Sequence, residues 1–178
     1  MGRFGTAKTR PNEGSMPDPL AFFITWTTYG QWLPGDERGW IRSGHGWQPP
    51  NPKTHESAES RLTESICWLV RQQRDIVEQT ITDHCRIRNW DLHRVSCRSN
   101  HVHVIVSADR DPEAIRDQFK AWCTRKLKEQ ERLRGHGPKI REKWWTEKGS
   151  IRFVGDSISL EAAIEYVDSQ DKKHADNI

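Results

Sequence analysis

Two histidines stand one residue apart in His101-Val102-His103, inside the run HVHVIVS. In a strand, side chains at i and i+2 share a face, so both imidazoles point one way while Val102 and Val104 point the other. Two neutral imidazoles on one strand face can hold a divalent metal. The pattern is short, however, and on its own it reads equally as a pair of partly exposed strand histidines. A second pair, Tyr166 and Gln170, is spaced four residues apart. On a helix that spacing brings both side chains to one face, with Ile164 and Val167 available to pack the helix down. A lone tyrosine there is an ordinary structural residue. Together the two pairs supply what a protein nucleophile needs to cut a phosphodiester: an attacking oxygen, a metal on the scissile phosphate and a path for the proton. The resulting phosphotyrosine ester keeps the bond energy, so a waiting DNA hydroxyl reverses the step without ATP. Two imidazoles and one carboxamide oxygen leave positions open for water and phosphate, as an activating Mg²⁺ or Mn²⁺ site requires. The chain has two tyrosines. Tyr29 falls in a loop, a poorly controlled place for a nucleophile, so the attack is assigned to Tyr166.

These residues need elements to position them. LAFFITWTT, Leu20 to Thr28, reads as a buried strand. A long Gly/Pro/Trp segment follows from Tyr29 to about Pro52, read as a functional loop. Leu62, Ile66, Leu69, Val70, Ile76 and Val77 recur at helical spacing and predict a helix over roughly 57–80. Trp90 to Cys97 and His101 to Ser107 form an antiparallel hairpin around the turn Ser99-Asn100. Asp111-Pro112 begins a helix that runs to about Arg134 and ends at Gly135 to Pro138. Trp144-Trp145-Thr146 and Ser150 to Val154 read as a second hairpin. A last helix starts near Ser157–Ser159 and carries Tyr166 past Gln170. Mixed strands and helices dominated by hairpins predict an α+β sandwich, a central antiparallel sheet with helices packed on it.

Composition narrows the function class. The 178 residues suit one domain, expected at 19–178 after a disordered leader at 1–18. Residues 1–16 are polar and Gly-rich, unlike a signal peptide, and no apolar run is long enough to span a membrane. The four cysteines form no C-x-x-C pair, which argues against a zinc ribbon and fits free thiols in the cytoplasm. The net charge is only +3, yet Arg110 to Arg152 holds 13 Lys and Arg against 7 Asp and Glu, leaving −3 for the rest. A basic second half suggests nucleic acid. Arg116, Lys120, Arg125 and Lys126 are candidate phosphate contacts on the helix, against an ordinary solvated face. Trp32 and Trp40, beside Arg38 in the long loop, could stack on unpaired bases or cover the sheet edge. His84, His93 and His136 have no partner spacing and are read as structural.

The combination resembles the single-tyrosine HUH transposases, the group of small insertion-sequence transposases and REP-associated tyrosine transposases. Asn100-His101-Val102-His103 is similar to their His-hydrophobic-His motif, and Tyr166-x-x-x-Gln170 to their nucleophile and third metal ligand. Thr25 through Gly30, Trp32 through Asp36 and Arg38-Gly39-Trp40 resemble the opening of one branch. Arg98-Ser99 departs from the Met-Pro that relatives often carry there. The resemblance covers roughly residues 20 to 170. It implies a ferredoxin-like fold with the histidines on a middle strand. It also implies nicking and joining of single-stranded DNA at hairpins through a 5′-phosphotyrosine, with His101, His103 and Gln170 on Mg²⁺ or Mn²⁺. A homodimer exchanging tyrosine helices and a monomer are both compatible with it. The competing readings are a domesticated hairpin-DNA-binding protein that cuts nothing, and a replication initiator or relaxase with the same chemistry. Eight residues follow Gln170, too few for a further DNA-binding module.

Overall fold

The computed structural model describes residues 19–42, 44–135 and 140–175, with side chains as far as Gln170. The expected leader at 1–18 and His136 lie outside these residues. The elements run β1 (Ala21–Thr27), β2 (Trp40–Arg42), β3 (Gly46–Gln48), α1 (Pro52–Glu59), α2 (Arg71–Arg88), β4 (Asp91–Cys97), β5 (His101–Ser107), α3 (Pro112–Arg134), β6 (Ser150–Val154) and α4 (Ser157–Ala175). The main sheet has the order β4-β5-β1-β6, with every neighbouring pair antiparallel. Counted among its own strands, that is second, third, first and fourth. With α2 and α3 as crossovers this is the ferredoxin-like β-α-β-β-α-β arrangement.

β1 lies inside the sheet and is covered on both faces, which is why AFFITWT reads as a nearly continuous apolar run. Phe22, Ile24 and Trp26 join Val102, Val104 and Val106 in one core cluster, closed by Val77 and Ile81 of α2 and by Ile115, Phe119 and Leu127 of α3. Ala21, Phe23 and Ile105 point the other way and form a second, smaller cluster with Val154 and the α4 residues Leu160, Ala163, Ile164 and Val167. Those four α4 positions have the i, i+3, i+4, i+7 spacing of one helical stripe. Local signals set the helix ends. Asp111 caps α3 by accepting the Ala114 N–H at 2.8 Å, and Gly135 ends it with φ +62°. Asn89 ends α2 in the left-handed region, φ 56°. Asp156 accepts the Ser159 N–H at 2.7 Å ahead of α4, and this bond holds its carboxyl below the usual range.

Three expectations require correction. The predicted helix over 57–80 is two helices, α1 and α2, joined by an extended strap. From 66 to 70 the strap alternates exposed and buried, with Cys67 and Leu69 inside and Ile66, Trp68 and Val70 outside. Ile66, Leu69 and Val70 fit a helical stripe by number, but the fold uses them at period 2. The second correction is that Trp144 to Thr146 does not pair with β6. It runs along the end of β1, where Trp145 bridges Thr28 and the Thr146 N–H donates to the Thr27 carbonyl at 3.1 Å. Gly149 lies between this stretch and β6. A Cβ there would come 2.4 Å from the Thr25 carbonyl oxygen, so the approach to β1 admits only glycine. The third is the segment from Tyr29 to Pro52, which is not wholly loop. It contains the small hairpin β2–β3, with Trp40 opposite Gln48.

Candidate active site

Residues 101 and 103 alternate to the α4 face of β5, as the strand period requires. The two imidazole centroids are 4.6 Å apart with planes at 68°. His103 is nearly enclosed, 6% exposed, while His101 at the mouth of the strand is half-buried. Each ring is held through Nδ1. Asn100 Oδ1 is 2.7 Å from His101 Nδ1, and Thr25 Oγ1 is 2.8 Å from His103 Nδ1. Thr25 is the direct partner of His103 across the β1–β5 ladder. An amide oxygen can only accept, so Asn100 fixes the neutral tautomer of His101 with the proton on Nδ1 and the lone pair on Nε2. This is the outer support that metal-ligating histidines use.

The α4 stripe brings Tyr166 over the same face. Its ring centroid lies 6.1 Å from that of His103 and 6.1 Å from that of Phe23, and Phe23 in turn lies 5.4 Å from His103. Phe23 is thus an apolar floor shared by the imidazole and the phenol. Tyr166 is 48% exposed, so a substrate can reach it from outside. Two features hold the helix in place. Val167 is fully buried in the smaller core cluster, and Asp168 Oδ1 pairs with Arg94 Nε of β4 at 2.7 Å. Gln170, half-buried, follows Tyr166 by one helical turn. Among the described residues, no three His, Cys, Asp or Glu side chains cluster as a metal site. Among those residues the carboxamide of Gln170 is a candidate third donor of another kind.

The other tyrosine is placed for a different purpose. Tyr29 packs against the larger core cluster, which forms on the opposite face of the sheet. Its hydroxyl accepts the Thr63 N–H at 3.1 Å, and Lys143 Nζ sits 5.5 Å from its ring centroid. The Thr63 hydrogen bond is the main influence lowering its phenol below the ordinary value. The four cysteines are buried and free, and burial pushes their thiols up, Cys67 to about 11 and Cys85 to about 12. None is a nucleophile at neutral pH.

The remaining sequence candidates are not gathered at this face. Arg116 is 5% exposed, with Nε 2.9 Å from Asp117 Oδ1. Lys120 is 8% exposed and donates to the carbonyls of Thr146, Glu147 and Lys148 at 2.7, 3.1 and 2.7 Å. Burial lowers its pKa to about 8. These two cations bind the protein's own backbone and carboxylate and do not project into solvent. Arg125 and Lys126 are exposed, but α3 covers the sheet face opposite the histidines. Arg125 lies over the Trp122 ring, and Lys126 pairs with Glu129 at 3.0 Å. Arg38 clamps Asp36 through Nε and Nη2 at 2.7 and 2.8 Å and donates to the Gln31 carbonyl, locking the turn of the long loop. Trp32 is 45% exposed while its indole N–H donates to the Gly39 carbonyl at 2.7 Å; Trp40 is half-buried. The sequence reading missed Thr25, Phe23 and the Arg94–Asp168 pair. A threonine inside the apolar run AFFITWT was the one available signal.

Comparison with known proteins gives the same direction. The model of the family described as IS200-like transposase matches residues 65–170, a span that contains both histidines, Tyr166 and Gln170. Among curated proteins no sequence matches. Among solved structures, the chain superposes on a REP-associated tyrosine transposase bound to a REP hairpin with a TM-score of 0.52 and 12% identity, over 93% of this chain and 74% of that one. A candidate transposase from Deinococcus radiodurans R1 aligns at 13% identity and a TM-score of 0.46, over 93% and 98% of the two chains. The first match is evidence for the fold; the family rests on the sequence model, which spans more than half the chain. The protein belongs to the IS200-like transposase family.

Proposed function

We propose that this transposase-family protein nicks and rejoins single-stranded DNA, with Tyr166 as nucleophile and His101, His103 and Gln170 as ligands of Mg²⁺ or Mn²⁺. The observation that carries the reading is the 6.1 Å approach of the Tyr166 ring to His103, beside a histidine pair with both Nδ1 atoms engaged. Two imidazoles presenting Nε2, joined by a carboxamide, suit a hard divalent ion that keeps positions open for substrate. When bound, such an ion polarises the non-bridging oxygens of the scissile phosphate.

The chain's own groups do the rest. Tyr166 loses its proton to solvent, and its oxygen attacks phosphorus. The bond from phosphorus to the 3′ oxygen breaks, that oxygen takes up a proton, and the 5′ phosphate remains as an ester on Tyr166. A 3′-hydroxyl from another strand then attacks the same phosphorus and restores the phenol. Tyr166 and His103 approach within one chain, which supports a reading in which each protomer supplies its own nucleophile. The fold relative is bound to a REP hairpin, which supports a hairpin as this chain's substrate too. Exposed Trp32 is suited to stack an unpaired base, with Trp40 and Arg38 shaping its loop. Arg125 and Lys126 could only meet phosphates on the far side of the sheet.

Nicking of a labelled single-stranded hairpin with Mn²⁺ tests the reading. A covalent protein–DNA product is expected, retained by Tyr29→Phe and lost in Tyr166→Phe. Hairpin binding without any cut in the native protein would favour the non-cutting reading. Equal cutting of blunt duplex would overturn the single-strand assignment.

A further inference from the structure

The strap joining α1 to α2 has an outer row of three exposed apolar side chains. Ile66 is 36% exposed, Trp68 59% and Val70 54%, while the intervening Cys67 and Leu69 are 2% and 3% exposed. In an extended segment with one buried side, the outer positions are normally polar. Here they are a β-branched residue, an indole and another β-branched residue in succession, which makes a continuous apolar ledge. Its backbone is firmly held. The Cys67 N–H donates to the Tyr29 carbonyl at 2.9 Å, and the Cys67 carbonyl accepts from Thr28 Oγ1 at 2.7 Å and Gln31 Nε2 at 3.1 Å. The Leu69 N–H donates to the Ser99 carbonyl at 2.7 Å. Trp68 therefore sits between an anchor on the end of β1 and an anchor two residues before His101. Ser99 and Asn100 make the bend before β5, and two residues span at most roughly 7 Å, so the Leu69 anchor lies close to the start of the histidine strand.

Charge favours one occupant. Arg61 and Arg71 are exposed on either side of the row, and Lys143 is exposed above Tyr29. The acid on the strap between them, Glu64, is turned toward Arg141 at 3.5 Å and accepts the N–H groups of Glu142 and Lys143. An exposed indole flanked by β-branched side chains and bordered by cations is suited to an unpaired base whose phosphates pass over the arginines. We infer that Trp68 is a stacking platform for an unpaired base of the single-stranded DNA that runs to or from the cleavage site, with Arg71 contacting its backbone. The inference deepens the proposed function and rests on it for the identity of the strand.

The test measures binding, without cleavage, in a Tyr166→Phe background. A fluorescein-labelled hairpin with a single-stranded tail and the same hairpin without the tail are titrated at two salt concentrations. Trp68→Ala is expected to weaken the tailed hairpin about tenfold and to leave the blunt hairpin unchanged, with Trp68→Phe close to the parent. Arg71→Ala is expected to weaken tailed binding and reduce its salt dependence by about one ion. Unchanged tailed binding in Trp68→Ala would overturn the inference, as would an equal loss on both hairpins. A dimer in sedimentation that Trp68→Ala dissociates would overturn it too, since a second copy would then cover the ledge. Trp68 is exposed, so its variants keep the native melting temperature. A native protein that binds but forms no covalent product would defeat the nuclease reading while leaving the tail-specific effect of Trp68 to be read independently.

Discussion

Thr25→Val removes one hydroxyl from the sheet and keeps the side-chain shape. The hydroxyl lies 2.8 Å from His103 Nδ1, under a ring that is 6% exposed. The lost hydrogen bond is worth about 1 kcal/mol, and leaving Nδ1 of an enclosed ring without that partner costs about 1–3 kcal/mol. The folding effect is therefore small enough to leave the protein native at room temperature. The effect on metal binding is larger in relative terms. Without Thr25 the ring loses the contact that fixes its orientation, and outer-support losses of this kind reduce metal affinity by roughly 10–100-fold. Manganese binding followed by electron paramagnetic resonance, in a Tyr166→Phe background without DNA, reads this directly. Thr27→Val is the control, because Thr27 lies on the same strand but its hydroxyl bonds Thr146 Oγ1 at 3.1 Å. The expected result is a weakened Mn²⁺ isotherm for Thr25→Val and a native one for Thr27→Val. Native Mn²⁺ affinity in a folded Thr25→Val protein would refute the assignment of His103 as a positioned ligand.

Three further outcomes follow from the geometry. Lys120 has its pKa lowered to about 8 by burial against an ordinary 10.5. Burial of its ammonium opposes folding fully below pH 8, and this cost fades as pH rises to 10.5. Native stability relative to Lys120→Met should therefore increase across that window, by at most about 3 kcal/mol; parallel pH profiles in urea melts would contradict the burial argument. Gly149→Ala sets a Cβ 2.4 Å from the Thr25 carbonyl oxygen, and should lower stability by about 1–3 kcal/mol, whereas an unchanged melting temperature would mean β6 can shift freely. Val167→Ala removes two fully buried methyl groups from the seat of α4, about 2 kcal/mol. It should raise amide exchange in α4 more than in α3, and uniform exchange would show that α4 is not seated by this contact.

The histidine strand, the α3 boundaries and the final helix were legible because each carries local chemistry. HVHVIVS alternates, Asp111-Pro112 and Gly135 mark both ends of a helix, and Leu160, Ala163, Ile164 and Val167 repeat at helical spacing. The strap at 65–70 was not legible, because its apolar residues satisfy both a period of 3.6 and a period of 2. Only the packing of Cys67 and Leu69 against the sheet end decides between them. The same limit explains Arg116 and Lys120. A cation at a helical position predicts solvent, and nothing local announces three backbone carbonyls from residues 146–148 waiting to receive an ammonium. Thr25 was hidden for a third reason: its role comes from register across β1 and β5, a long-range pairing that no window on the sequence contains.

Peptide mapping of a trapped protein–DNA product locates the nucleophile. Digestion with trypsin separates residues 153–172, whose one tyrosine is Tyr166, from the segment that carries Tyr29. A nucleotide mass is expected on the 153–172 peptide, lost when His101 and His103 are both replaced by alanine. A nucleotide on the Tyr29 peptide, or an adduct indifferent to both histidines, would contradict the proposed mechanism.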